Sequence, residues 1–216
     1  MQSIYVNALF KFGERHFMER LLKEGELYMR PIPAFKSMEK HEAREDKAEG
    51  TVQCFQPSKV TLSVEMDGKY EPIKGICSPI LLGHPNMADF NIYCMYGLLD
   101  KKVDPRNRKF GDTFVVFTQA NEFIARVKNK LTVLGYEHDC RLVEYVDEKQ
   151  YQGVMGPYRK FDRLSYQNEA RFLVKSLLRK DLTVKIGSIE DIAYLATWEE
   201  LESYINEKVF SDTEAA

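Results

Sequence analysis

The sequence predicts an α+β fold: a mainly antiparallel, split β-sheet core with an N-terminal strand–helix–strand unit, a middle helix and a C-terminal helix. Three observations carry this. Extended segments outnumber helical ones and do not alternate regularly with them, which argues against a doubly wound parallel sheet. The chain opens strand, helix, strand before Pro31. Between two extended pieces, Asp67-Gly68 marks an antiparallel hairpin. With 216 residues, 44% hydrophobic and 30% charged, the chain can bury a sizeable core and reads as one domain over residues 1–210 with a frayed tail at 211–216.

Ile4 to Phe12 is rich in aromatic and β-branched residues and reads as a strand. From Glu14 to Glu24, Phe17, Met18, Leu21 and Leu22 form the stripe of an amphipathic helix, with Gly25 in position to cap it. Glu26 to Arg30 returns to strand. Ala34 to Gly50 is densely charged with both signs; it reads either as a solvated segment or as a cover over a site, with Arg44, Asp46 and Glu49 facing something polar. Val60 to Val64 alternates into the Asp67-Gly68 turn, and Ile73 to Leu82 is extended and punctuated by prolines. Phe90 to Leu99 is apolar on both parities, as a strand covered on both faces would be. Lys101, Lys102, Arg106, Arg108 and Lys109 form a basic loop, either solvated or phosphate-contacting. Phe114 to Phe117 is strand, and Asn121 to Leu134 a second amphipathic helix closed by Gly135. Leu142 to Val146 is strand, Asp147 to Asp162 a connector, and Leu182 to Ile186 and Ile189 to Leu195 are extended. Thr197-Trp198-Glu199-Glu200 is a capping box opening the last helix, which carries Leu201, Tyr204 and Ile205 inward.

Lys and Arg total 31 against 33 for Asp and Glu, so no global field draws the chain to nucleic acid or membrane. The start lacks the basic and apolar regions of a secretory signal, and no stretch approaches the roughly 18 apolar residues of a membrane span. Cys54, Cys77, Cys94 and Cys140 are far apart and show no zinc-ligand spacing, so reduced thiols and a cytoplasmic location are expected. The signatures of Rossmann dehydrogenases, P-loop NTPases, serine hydrolases and zincins are missing.

The stretch richest in chemistry is Ser165 to Val174. In a strand, Gln167, Glu169 and Arg171 would leave one face while Ala170, Phe172 and Val174 leave the other. An amide, a carboxylate and a guanidinium on one face make either a solvated surface or a polar site.

The helix ending Lys23-Glu24-Gly25, the strand Glu26-Leu27-Tyr28-Met29-Arg30-Pro31, the Phe35-led charged segment, Met95-Tyr96-Gly97 and the late Tyr166-x-x-Glu169-x-Arg171-Phe172 together resemble an uncharacterised bacterial and phage-borne family found among defence and toxin genes. The same order is similar to the ADP-ribosyltransferase superfamily, in which a late strand supplies a catalytic Glu as Gln-x-Glu or Glu-x-Glu; Gln167-Asn168-Glu169 fits that element. The resemblance implies NAD as substrate, Glu169 as the catalytic carboxylate, Gln167 orienting the acceptor, and Tyr96, or Tyr93 by equal spacing, as the stacking aromatic. The first strand has neither the His nor the Arg of that superfamily, so Lys11 or Arg30, with Arg44 and Arg171, would hold the dinucleotide. The implied targets are a protein or RNA, with an antitoxin or another defence protein as partner. Two other classes fit the residues: a metal-dependent nucleic-acid-acting effector using Asp46, Glu49 and Glu169, and a non-enzymatic defence or inhibitor module binding through its charged and tyrosine-rich segments.

Overall fold

The computed structural model describes residue 6, residues 8–36, 46–99, 103–201 and residue 203. Arg44, Lys101, Lys102, Tyr204, Ile205 and the tail at 211–216 therefore lie outside the described residues. In chain order the elements are β1 (Ala8–Gly13), α1 (Arg15–Glu24), β2 (Glu26–Pro31), β3 (Thr51–Phe55), β4 (Ser63–Met66), β5 (Lys69–Pro72), β6 (Ile80–Gly83), β7 (Phe90–Leu98) and β8 (Thr113–Phe117). They continue with α2 (Ala120–Val133), β9 (Glu137–Leu142), β10 (Glu144–Val146), β11 (Gly153–Val154), β12 (Arg159–Phe161), β13 (Glu169–Lys175), β14 (Leu182–Lys185) and β15 (Ala193–Thr197). The fold is α+β with a large, mainly antiparallel sheet.

The N-terminal unit forms as its pattern dictates. Met18, Leu21 and Leu22 of α1 are buried, each contributing about 1.5–3 kcal/mol of apolar burial. Gly25 ends the helix in the left-handed region at φ 60°, and a β-carbon there would lie 2.1 Å from the Gly187 carbonyl oxygen. Only glycine fits both conditions. At the other end of the chain the capping box is present: the Thr197 N–H donates to Glu200 Oε2 at 2.8 Å.

The eight-stranded sheet runs β14-β2-β7-β1-β8-β15, with β13 on the other side of β7 and β9 beyond it. Two strands share one edge of β7. β1 pairs with its C-terminal half, from Ala8 opposite Leu98 to Phe10 opposite Tyr96, while β2 pairs with its start, Arg30 opposite Ile92. Along Tyr93, Cys94 and Met95 neither strand is paired, and the sheet splits there. β13 stays paired to β7 throughout, Glu169 opposite Tyr96 to Lys175 opposite Phe90.

One face of the sheet packs against α1 and α2 in an apolar core that includes Leu9, Met95, Val115, Phe117, Ala170 and Phe172. The opposite face is divided. Over β1 and β8, Phe10, Phe12, Tyr96 and Phe114 pack beneath Trp198 and Leu201, with Trp198 stacked on Phe12 at 5.0 Å. Over β13 lies a second layer built from the β11-β3-β6 sheet and the parallel β10-β12 pair, with its own small core of Ala48, Cys54, Val146, Met155 and Phe161.

Several local expectations need correction, among them three around the candidate site. The strand read at Leu142–Val146 is the meeting of β9 and β10. The first residues of β9 are charged because it is a sheet edge, where Glu137 pairs with Lys175 and Asp139 with Arg141. The Asp147–Asp162 connector contains β11 and β12. Gln167 is not in a strand: it ends a 3-10 turn, Asp162–Gln167, and Asn168 at φ 37° bends the chain into β13. Asparagine tolerates that conformation better than most residues.

Candidate active site in the split of the sheet

A cleft of about 370 Å³ occupies the split, within the size range of small-molecule sites. At its base the Lys11 ammonium takes the place of the missing strand, donating to the Cys94 carbonyl at 2.6 Å and lying 4.4 Å over the Tyr93 ring. Phe12, Phe35, Tyr96 and Phe110 give the cleft aromatic walls, and Arg30 reaches it from β2.

Glu169 and Arg171 leave the same face of β13 and line the cleft. That face is buried. Arg171 is 0% exposed; it grips Glu49 with two hydrogen bonds, 2.8 and 2.9 Å, and donates to Glu169 Oε2 at 2.9 Å and to the Pro157 carbonyl at 2.5 Å. Lys160 of β12 completes the cluster, with its Nζ 3.0 Å from Glu169 Oε2 and 3.5 Å from Glu49 Oε2 and donating to Gln167 Oε1 at 2.9 Å. Gln167 and Glu169 thus meet through Lys160, although the bend at Asn168 takes them off a common strand. The Glu169 N–H donates to the Tyr145 hydroxyl, and the Asn168 amide donates to the Tyr96 hydroxyl at 3.2 Å.

The electrostatics follow from this packing. Burial works against the charge on Glu169, but Arg171 and Lys160 outweigh it and hold the carboxyl down at about 2. Burial works against Lys160 as well, and the Glu169 and Glu49 carboxylates hold its ammonium above the ordinary value. Asp46 goes the other way: burial pushes it up and Glu49 adds to the push, against the pull of Lys160. The Cys94 thiol is pushed up to about 12 by burial and by the Glu169 charge. Both cations bind Oε2 of Glu169.

Asp46, Glu49 and Glu169 do converge, but the Lys160 ammonium stands among them, 3.9 Å from Asp46 Oδ2. Among the described residues no group of three metal-ligating side chains is placed to hold an ion. Of the residues singled out in the sequence, Lys11, Arg30, Tyr96, Gln167, Glu169 and Arg171 line this one cleft, as does Tyr93. Tyr93 and Tyr96 reach it from opposite faces of β7, Tyr93 from the helix side and Tyr96 from the side of Phe12. Arg171 is committed to Glu49 and Glu169, and Arg30 sits 3.7 Å from Asp181. Lys160 and Asn107 were missed. Lys160 had only the alternation Arg159-Lys160-Phe161 as a signal, inside a stretch broken by Gly156-Pro157.

The unsatisfied polar atoms are concentrated here. Among the described residues, six buried side-chain atoms lack a hydrogen-bond partner, and four of them, Arg30 Nε, Tyr93 Oη, Asn107 Oδ1 and Arg171 Nε, belong to residues lining the cleft. Native proteins leave few such atoms, and four of these six belong to residues of this one cleft. Comparison with protein-family models, with curated proteins and with solved structures found no match to this chain. Among the described residues no helix is long and apolar enough to cross a membrane.

Proposed function

We propose that the protein is an ADP-ribosyltransferase-like enzyme that cleaves NAD in the cleft and transfers ADP-ribose to a macromolecular target, in the setting of a toxin or anti-phage effector. The observation that carries this reading is the ionised Glu169 carboxylate, held by Arg171 and Lys160 in the wall of a cleft lined by aromatic rings and cations. Breaking the bond between ribose and nicotinamide builds positive charge on the sugar. A carboxylate fixed in a dry site stabilises that charge without reorganising as it forms. Glu169 meets this need. Phe12 and Tyr96 supply faces for a planar ring, and Lys11 and Arg30 supply charge for the pyrophosphate.

The test uses NAD labelled in the adenylate, incubated with the full chain and a cell lysate. Wild type releases nicotinamide and transfers label, and Glu169→Gln lowers the rate by about 10²–10³-fold. Because Glu169 titrates near 2, the rate does not fall with its protonation anywhere between pH 5 and pH 8. NAD left intact by wild type under these conditions overturns the reading.

A further inference from the structure

We infer that the acceptor of the transfer is a base of a single-stranded nucleic acid, received by the rim that the 3-10 turns Pro105–Phe110 and Asp162–Gln167 form beside Glu169. This rests on the transferase reading above and concerns its second substrate.

The two turns are joined by Asn107, which is 1% exposed. Its amide nitrogen donates to the Asp104 carbonyl at 3.0 Å and to the Tyr166 carbonyl at 2.8 Å. Two carbonyl partners fix which end of the amide is nitrogen. Oδ1 is left buried, without a partner, in a residue that lines the cleft. A buried acceptor in that state costs stability, and an N–H brought to that wall as the two turns shift would relieve it; nucleobases present amino and imino N–H groups on their edges.

The second observation is independent of the first. On the same rim the Arg106 guanidinium lies 4.1 Å over the Tyr166 ring, and Arg108 lies 5.2 Å over Trp198, which is itself stacked on Phe12 of the cleft wall. Unpaired bases stack on such aromatic and guanidinium planes whatever their sequence. Asp104 matches the charge of Arg106, so Arg106 offers its plane, while the exposed Arg108 faces the phosphates. The turn that carries Tyr166 runs directly into Gln167 and Glu169, so a base stacked there is delivered to the reacting carbon. A duplex hides its bases in the stack, and most protein side chains offer no ring with an N–H edge.

In the transfer, a base nitrogen forms a bond to the ribose C1′ as the C1′–nitrogen bond to nicotinamide breaks. The electron pair of that bond leaves with nicotinamide, and the N–H proton passes to water.

The experiment incubates the full chain and labelled NAD with single-stranded RNA, single-stranded DNA, the annealed duplexes or lysate protein, and follows label transfer and nicotinamide release in each. Label goes onto single strands, at least tenfold less onto duplexes, and the transfer weakens with salt. Tyr166→Ala lowers transfer to single strands about tenfold relative to nicotinamide release, and Arg108→Ala, an exposed side chain outside the core, lowers it severalfold. Nicotinamide release that depends on Glu169 while single strands stay unlabelled and the label goes to protein or water overturns the inference and leaves the transferase reading standing. No nicotinamide release in any mixture overturns both.

Discussion

Arg171 and Phe172 are neighbours on one strand, each 0% exposed, and they face opposite ways into two different interiors. Phe172 enters the apolar core beneath the helices. Arg171 enters a charged interior closed by Glu49, Glu169 and Lys160. Equal burial has opposite causes. Apolar side chains reach the helix face because leaving water is favourable for them. The charged side chains pay desolvation on the other face and recover it only because each meets its counter-ion at hydrogen-bond distance. A protein seeking stability alone has no need of the second arrangement, since a hydrophobic filling of the same volume serves as well or better. The charged face is therefore where function is read, and the apolar face is the platform that holds it still.

The largest expected effects come from breaking each interior separately. Arg171→Met leaves Glu49 and Glu169 buried with one cation between them and costs about 3–5 kcal/mol. Phe172→Ala opens a cavity and also costs about 3–5 kcal/mol. Denaturant unfolding at pH 7 measures both. The two part company when the whole group is exchanged: Glu49→Met, Glu169→Met and Arg171→Met combined recover most of the stability lost by Arg171→Met alone, with Lys160 left to Asp46 and Gln167, while any activity of the cleft is gone. A triple variant less stable than Arg171→Met would show that the charged interior is a structural requirement, and the contrast between the faces would fail.

The next effect is smaller and separates the faces by pH. The folded value of Glu169, about 2, lies below its ordinary 4.5. Its contribution is fully present above pH 4.5 and is lost as the pH falls toward 2. Asp46 has the opposite sign: its folded value is raised, so protonating it favours the folded state, and stability rises as the pH drops from neutral through its titration. The two effects oppose each other: Asp46 adds stability as it takes up its proton, and Glu169 removes it as the pH falls from 4.5 toward 2. Asp46→Asn removes the rise that comes with its protonation and keeps the acid loss. The penalty of Phe172→Ala is the same at pH 7 and pH 3.5, whereas that of Arg171→Met shrinks at pH 3.5 because its orphaned carboxylates take up protons. Unfolding curves at the two pH values decide it; equal penalties for Arg171→Met would refute the assignment of its cost to those carboxylates.

How much of this was legible depended on sequence distance. Local patterns gave α1 and its Gly25 cap, the Asp67-Gly68 hairpin, the doubly covered β7 and the capping box at Thr197. Glu169 was legible as a candidate because its neighbours alternate polar and apolar. The partners that decide its chemistry were not. Glu49 meets Arg171 across 122 positions, and Lys160 sits on a three-residue strand paired with β10, too short for any periodicity to show. The bend at Asn168 was hidden as well, since Gln-Asn-Glu read as a strand places Gln167 correctly near Glu169 for the wrong reason. The split itself arises from pairing: β1 and β2 are each ordinary strands, and only their shared claim on one edge of β7 opens the cleft.

The smallest effect sharpens the comparison without touching stability. Cys94 on the charged face and Cys140 on the apolar one both have thiols pushed up to about 12. Burial is the largest cause for each, but Cys94 also feels the Glu169 carboxylate, whereas at Cys140 the opposing charges of Lys128 and the neighbouring Asp139 follow burial. In Glu169→Gln the negative neighbour disappears while Arg171, Lys160 and Lys11 remain, and all three favour a thiolate at Cys94. Alkylation at pH 9, followed peptide by peptide by mass spectrometry, accordingly labels the exposed Cys77 first in the wild type. In Glu169→Gln it labels Cys94 severalfold faster than in the wild type, and Cys140 at an unchanged rate. If Cys140 accelerates in step with Cys94, the variant has loosened the whole sheet, and the two interiors are one cooperative unit instead of a platform and a site.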